Sequence, residues 1–185
     1  MRIRNRVVSR ILFLGGVLLL AEGSFSVYPF FFPAAEEVEV HIPSPGSAAT
    51  PRFEAGSYLF QLSLPRQNAT FKVVEGTTSQ SLRKGPGHLE GSSLPGNAGN
   101  SVIAGHRDTH FRILKDVAVG DEIRIDASGQ HYVYRIVDTR IVRPEDTSPL
   151  RSSTDPMLTL ITCYPFYFIG PAPNRFIVRA RAIAE

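Results

Sequence analysis

The sequence predicts an all-β domain, a closed barrel or a sandwich, carried behind a hydrophobic N-terminal segment. Three observations predict it. Strand-like runs from Tyr58 onward are short and numerous, Gly and Pro turns separate them, and no stretch of the domain carries the period of a long amphipathic helix. Closure has a physical motive as well, because it leaves no strand edge free to pair with a neighbour.

Composition fits one folded domain and sets limits on its partners. At 185 residues, 43% apolar and 20% charged, the chain can build a single good core. Its net charge of +3 is a property of the terminus: Arg2, Arg4, Arg6 and Arg10 stand there without an acid. From residue 22 onward 16 basic residues face 17 acidic ones, so nothing supports a nucleic-acid footprint on the domain. The single cysteine excludes an internal disulfide.

In chain order, residues 1–10 form a basic flank and Ile11 to Ala21 an uninterrupted apolar run, the pattern of an export signal with its basic end in the cytoplasm. Continued through Phe25, Val27, Tyr28 and Phe30 to Phe32, the segment reaches spanning length, with Glu22 near its middle. The expectation is an uncleaved signal anchor over residues 11–32. The alternative, a signal peptide cut near Ala21, has Leu19 where a small residue is preferred and leaves an aromatic mature terminus. Residues 33–52, with Pro43, Pro45, Gly46, Ser47 and Pro51, read as a linker, and the domain proper spans residues 53–185.

Within the domain, Tyr58 to Leu64, Phe71 to Val74 and Ser101 to Ala104 read as strands. Glu122 to Asp126 follows the turn signal Gly120-Asp121, and Gln130 to Val137 follows Ser128-Gly129 as the second arm of a hairpin. Arg140 to Val142, Met157 to Thr162 and Arg175 to Ala182 bring the count to about eight. Phe111 to Val117 forms one short helical turn, with Asp108 or Thr109 as its cap. Residues 83–100, rich in glycine and holding Pro86 and Pro95, read as a loop that either lines a cleft or lies on the surface.

The chemistry-bearing residues cluster at strand ends. Leu158 to Thr162 leads into Cys163, eleven residues with Pro165, Gly170, Pro171 and Pro173 follow, and a returning strand opens on Arg175. Ser101 to Ala104 likewise ends beside His106. A lone cysteine with a histidine elsewhere is the pattern of a thiol nucleophile and its acid or base, and a guanidinium can stabilise an oxyanion. If adjacent strands carry them, Cys163, His106 and Arg175 share one rim and can perform acyl transfer through a thioester. The bland reading of Cys163 is a buried core residue. An aspartate-assisted variant through Asp108 is a weaker reading because Asp108 follows on the same element, and so is metal ligation by the His106 and His110 pair, because no second cysteine or acid-bearing helix accompanies them. His88 reads as a solvated loop histidine, with contact to substrate as the other reading, His131 as preceding a strand, and His41 as part of the linker. Asn174 either orients Arg175 or ends the loop.

These motifs resemble the sortase family, most closely its class D branch, over roughly residues 57–182. Leu158-Thr159-Leu160-Ile161-Thr162-Cys163 matches the TLxTC signature with Leu158 as an extra leading residue, and Tyr164-Pro165-Phe166 continues in the class D manner. Gly99-Asn100-Ser101-Val102-Ile103-Ala104-Gly105-His106-Arg107 is similar to the histidine segment, and Asn174-Arg175-Phe176-Ile177-Val178 to the arginine segment. Val74-Glu75-Gly76 and Gly85-Pro86-Gly87-His88 are also similar to family stretches. The resemblance implies a closed eight-stranded β-barrel held at the outer membrane face by an N-terminal segment. It implies cleavage of an LPxTG-like sorting signal between Thr and Gly, with transfer of the acyl group to an amine of a cell-wall precursor or a pilin subunit. Cys163 would be the nucleophile, His106 the general acid and base, and Arg175 the group that positions substrate or stabilises the oxyanion, in a resting dyad that is mostly neutral. No cofactor is expected. Some sortases bind calcium through acids near a mobile loop; Asp138, Glu145 and Asp146 are available here, but their spacing defines no site and no metal is expected. Two other readings remain open at this point: a thiol endopeptidase that uses water as acceptor, and a non-catalytic barrel that binds peptides in the envelope.

Overall fold

Period-two alternation of apolar residues builds the barrel of this chain, seen in a computed structural model that describes residues 53–183. The expected flank, anchor and linker over residues 1–52 lie outside the described residues. Eight strands follow in order: β1 (Tyr58–Leu64), β2 (Ala69–Glu75), β3 (Gly87–His88), β4 (Gly99–Ala104), β5 (Glu122–Ala127), β6 (Gln130–Val142), β7 (Pro156–Tyr164) and β8 (Asn174–Ile183). They close in the order β1-β2-β3-β4-β7-β8-β6-β5, with β5 pairing back onto β1 through Gln61 and Asp126. The β2–β3 and β4–β7 pairs are parallel and the others antiparallel.

Alternate residues of these strands fill the interior. Leu62 and Leu64 on β1, Ile123 and Ile125 on β5, Tyr134 and Ile136 on β6, Leu158 and Leu160 on β7, and Val178 and Ala180 on β8 are buried in one cluster. Each such Leu or Ile contributes about 1.5–3 kcal/mol by leaving water. Tyr134 keeps its hydroxyl satisfied by accepting from Gly96 N at 2.8 Å, and burial raises the pKa of its phenol.

The eight-stranded closed barrel matches expectation, and the details differ where local polarity misleads. The runs read as two strands, Gln130 to Val137 and Arg140 to Val142, are one strand, β6, with an irregular register between Ile136 and Asp138 opposite β8. Asp138, Thr139 and Arg140 look like a break in sequence, yet they pair with Arg179, Val178 and Ile177. His131 lies on β6 rather than before it, bonded to Asp126. One short α-helix, α1 (Ser79–Lys84), is capped by Thr78 Oγ1, which accepts from Ser81 N at 3.2 Å. The turn expected at Phe111 to Val117 is a 3₁₀ helix at His110–Asp116; Thr109 sits at its N-cap position without a side-chain cap bond, so neither expected cap operates.

The glycine-rich stretch 83–100 is more ordered than its composition implies. It holds β3, which bridges β2 and β4. A Cβ on Gly87 would stand 2.1 Å from Gly76 O, so only glycine lets this strand lie against the end of β2. His88 is correspondingly buried, 2% exposed, and not a solvated loop residue. Its Nδ1 meets Glu75 Oε2 at 2.9 Å, and its Nε2 faces Ser92 Oγ at 2.9 Å and Ser93 O at 3.1 Å. Ser92 Oγ in turn accepts from Val102 N. The imidazole thus fastens the loop to both β2 and β4.

A second polar anchor closes the turn before β5. Asp121, with its side chain 9% exposed, accepts from Arg66 Nη1, Gln67 Nε2 and Ala118 N, each at 2.9 Å. Burial opposes ionisation, but the hydrogen bonds from Ala118, Gln67 and Arg66 outweigh it and hold the carboxyl below the usual aspartate range.

Two stability predictions result. Asp121→Ala should cost about 1–3 kcal/mol at neutral pH in urea unfolding. Because the folded carboxyl is the stronger acid, its contribution is present above the unfolded value of about 3.9 and is lost as pH falls through the folded value. The gap between variant and wild type should therefore narrow in acid, and a gap that widens there contradicts the assignment. His88→Ala strands a buried carboxylate and should cost about 3–5 kcal/mol in the same measurement, whereas Glu75→Gln keeps a hydrogen-bonding partner and should cost less. Equal losses would show that packing, and not the pair, holds the loop.

Candidate active site

The side chains singled out in the sequence are placed by the register of three neighbouring strands. On β7, Leu158 and Leu160 point into the barrel, so Thr159, Ile161 and Cys163 take the outward face. Cys163 is the direct antiparallel partner of Arg175, which puts both side chains on one face of the sheet. The same outward row of β8 continues through Ile177, Arg179 and Arg181.

On the other side of β7, β4 runs parallel with Ala104 opposite Ile161. Two further bonds carry that pairing past the end of the strand: Gly105 N donates to Ile161 O at 3.1 Å, and Thr162 Oγ1 donates to Gly105 O at 2.6 Å. Continued by these bonds, the register sets His106 level with Cys163. The backbone at this point is pressed onto a ring, since a Cβ on Gly105 would lie 2.6 Å from Phe111 Cδ2. Glycine is needed there for the strand end to reach β7. The 3₁₀ helix that begins after His106 is tied back to it by Phe111 N donating to His106 O at 3.0 Å.

Order β4-β7-β8 therefore gives His106, Cys163 and Arg175 in sequence across one end of the barrel, and all three are partly exposed. Cys163 is not a core cysteine. Arg175 Nη1 donates to Ala172 O at 3.3 Å, in the loop that leads into β8, and to Asn174 O at 3.0 Å, at the first residue of that strand. Asn174 contributes its backbone carbonyl to that contact. Asp108 is exposed on the turn after His106, and the aspartate-assisted variant gains no contact from it.

His110 stands near enough to His106 for their charges to interact. Burial lowers the His110 pKa, and the charge of His106 lowers it further. Its ring packs edge-on against Phe71 at 6.3 Å between centroids. Among the described residues no group of three or more His, Cys, Asp or Glu side chains is arranged to hold a metal ion. Asp138 is engaged by Arg140, and Asp146 Oδ1 accepts from Ser148 N, which caps the turn beside Glu145.

The structure adds residues to which the sequence reading gave no role. Asn100 Nδ2 donates to Pro149 O at 3.0 Å and Arg151 O at 3.1 Å, while its Oδ1 accepts from Thr159 Oγ1 at 2.8 Å. This pins the β6–β7 loop over the outward face of β4 and β7, forming a wall at the end remote from Cys163. Ala104 and Ile161 remain part-exposed between that wall and the thiol. An extended peptide laid along this strip would cross them on its way to Cys163. On the opposite side Tyr164, Phe166 and Phe176 pack together, with Phe166 and Phe176 centroids 5.3 Å apart. Asn100 stands within the Gly99 to Arg107 motif, and that membership was its only signal in the sequence.

Comparison with known proteins agrees with this geometry. Residues 62–183 match the model of the Sortase domain family. The chain is 39% identical over 131 residues to Sortase D of Bacillus subtilis (strain 168), covering 70% of this chain and 66% of that protein. It is 29% identical to Sortase SrtE1 of Streptomyces coelicolor, over 77% of this chain and 44% of the relative. The chain thus spans less than two thirds of the length of these relatives. Among solved structures, a Clostridium perfringens Sortase D5 transpeptidase aligns with a TM-score of 0.66 at 28% identity, covering 72% of this chain and 83% of that one. Sortase A from Corynebacterium diphtheriae aligns with the same TM-score at 35% identity, covering 72% and 64%. A family model matched over residues 62–183, on a barrel whose strand order brings the three motif residues to one end, makes this chain a member of the sortase family.

Proposed function

We propose that the chain is a cysteine transpeptidase of class D character that cleaves an LPxTG-like sorting signal and passes the acyl group to an amine. The observation that supports this reading is the register of β7: Cys163 has Arg175 as its cross-strand partner on β8, and on its other side the β4 pairing, carried on by Gly105, leads toward His106 two residues past the strand end.

In this mechanism the sorting peptide lies along the outward strip past Ile161 and Ala104, with its scissile carbonyl over Cys163. The thiol gives its proton to His106 as sulfur attacks the carbonyl carbon between Thr and Gly. Negative charge develops on the carbonyl oxygen, and the Arg175 guanidinium, already aimed at carbonyl oxygens of its own loop, stabilises it. His106 then protonates the departing amine as the C–N bond breaks, which leaves a thioester on Cys163. The acceptor amine loses its proton to His106, attacks the thioester, and returns the thiolate as leaving group, to be reprotonated. Arg175 contributes charge and a planar fork of donors and takes no part in the proton transfers.

Burial, and then the charge of His106, disfavour a proton on the His110 ring, which suits this scheme because a second positive charge beside His106 is opposed. The substrate in this reading is an exported protein with a C-terminal sorting signal. The acceptor is an amine of a wall precursor or of another protein. Residues 11–32 anchor the chain in the plasma membrane in a single pass, and the catalytic domain, residues 53–185, stands on the extracytoplasmic side behind the 33–52 linker.

Cys163→Ala should abolish cleavage of a fluorogenic Leu-Pro-Xaa-Thr-Gly peptide while leaving the unfolding midpoint within the range of ordinary surface changes; retained turnover would remove the nucleophile. Arg175→Lys should lower kcat/KM by about 10²-fold or more, because a point charge cannot reproduce a planar fork of donors. Activity close to wild type in that variant would leave Arg175 without its role. Product analysis with and without an added amine separates transfer from hydrolysis: an amide product at the expense of free acid is expected.

A further inference from the structure

We propose that Arg107 is a positioning residue that holds the β7–β8 loop, the segment joining Cys163 to Arg175, in register with the His106 end of β4. This rests on the transpeptidase reading for its functional consequence and on geometry alone for the clasp. Arg107 follows His106 directly, and its guanidinium reaches across to three carbonyl oxygens of the loop. Nη1 donates to Pro165 O at 3.2 Å, and Nη2 donates to Phe168 O and to Gly170 O, each at 3.0 Å. Its Cζ also stands 5.8 Å from the Phe168 ring centroid.

The placement explains why a long breaker-rich loop can present two reactive residues reproducibly. Residues 165–173 hold Pro165, Gly170, Pro171 and Pro173, form no strand, and project Tyr167 and Ile169 outward. Their carbonyls have no ladder to join. A planar cation with several donors satisfies three of them at once, which an ammonium cannot do with the same geometry. Arg112, on the 3₁₀ helix that follows, stacks on Tyr167 at 5.3 Å and grips the loop a second time. The element that delivers His106 therefore also sets the loop that leaves Cys163 and arrives at Arg175. Loosening it should widen the wall beside the bound peptide before it affects the sulfur, which is fixed by β7 itself.

The full-length protein is compared with Arg107→Ala and Arg107→Lys by peptide turnover, with a fluorogenic Leu-Pro-Xaa-Thr-Gly substrate, and by amide hydrogen exchange. For Arg107→Ala, KM should rise by about tenfold with a smaller loss in kcat, and Arg107→Lys should recover only part of it. Exchange should quicken within residues 166–172 and stay unchanged in β7 and β8. A merely structural role would lower the active fraction with KM unchanged, or speed exchange throughout the barrel, and either result overturns the proposal. So does wild-type behaviour in both assays. If the wild type itself turns over no such peptide, the transpeptidase reading is what fails, and the exchange experiment still decides the clasp: loop exchange equal to wild type overturns it, and quickening confined to residues 166–172 upholds it.

Discussion

The parallel pairing of β4 with β7 is the constraint on which the rest of this molecule depends. Ala104 opposes Ile161, and the bonds of Gly105 to Ile161 and Thr162 continue that register past the strand end, so His106 and Cys163 emerge at the same level. Strand pairing has a period of two, so a slip of one residue would turn Cys163 into the barrel and bring a core leucine or threonine outward. The slip is opposed by Leu158 and Leu160 in the interior and by Val178 and Ala180 across from them. Burial of these apolar side chains is thus what fixes the position of a sulfur atom that is itself not buried.

Much of this was legible in the residues. The strands with clean alternation or strong apolar character, β1, β5 and β7, were found with nearly their observed limits, and the Ser128-Gly129 hairpin closes as its turn residues imply. That Cys163 and Arg175 flank one loop implied an antiparallel pair, and the pair exists. What the residues could not display was anything set by packing between distant segments. β3 is two residues inside a glycine-rich stretch and exists only because Gly87 fits against Gly76. His88 read as solvated because its neighbours are small and polar, yet Glu75, thirteen positions earlier, takes it out of water. The polar residues Asp138 to Arg140 hid the continuity of β6, because a strand on the barrel's outer surface needs no apolar signal along that part of its length. Within the site, the roles of Asn100 and Arg107 rest on bonds to backbone carbonyls of loops more than forty residues away, and that of Thr159 on the side-chain oxygen of Asn100, for which local sequence holds no pattern.

A division of labour between strands and loops emerges. The strands supply order and spacing at the barrel end, while both walls of the outward strip are irregular segments held by a few polar side chains. Asn100 secures the β6–β7 loop and Arg107 the β7–β8 loop, and both belong to the stretch from Gly99 to Arg107 that also bears His106. One strand and its extension therefore define the floor, one reactive group and the anchors of both walls. Loops fastened in this way can differ in sequence among relatives of the same barrel without disturbing the thiol.

The most direct measurement of the central claim is the rate at which iodoacetamide alkylates Cys163 in the wild type and in His106→Ala, followed across pH 5 to 9, because it needs no substrate and reads only whether an imidazole stands beside the sulfur. The account predicts that removing the ring changes the rate by about fivefold or more over part of that range, since a neighbouring acid–base group governs the fraction of thiolate. Identical rates at every pH would mean that His106 and Cys163 do not meet, and would contradict the convergence on which the site is built.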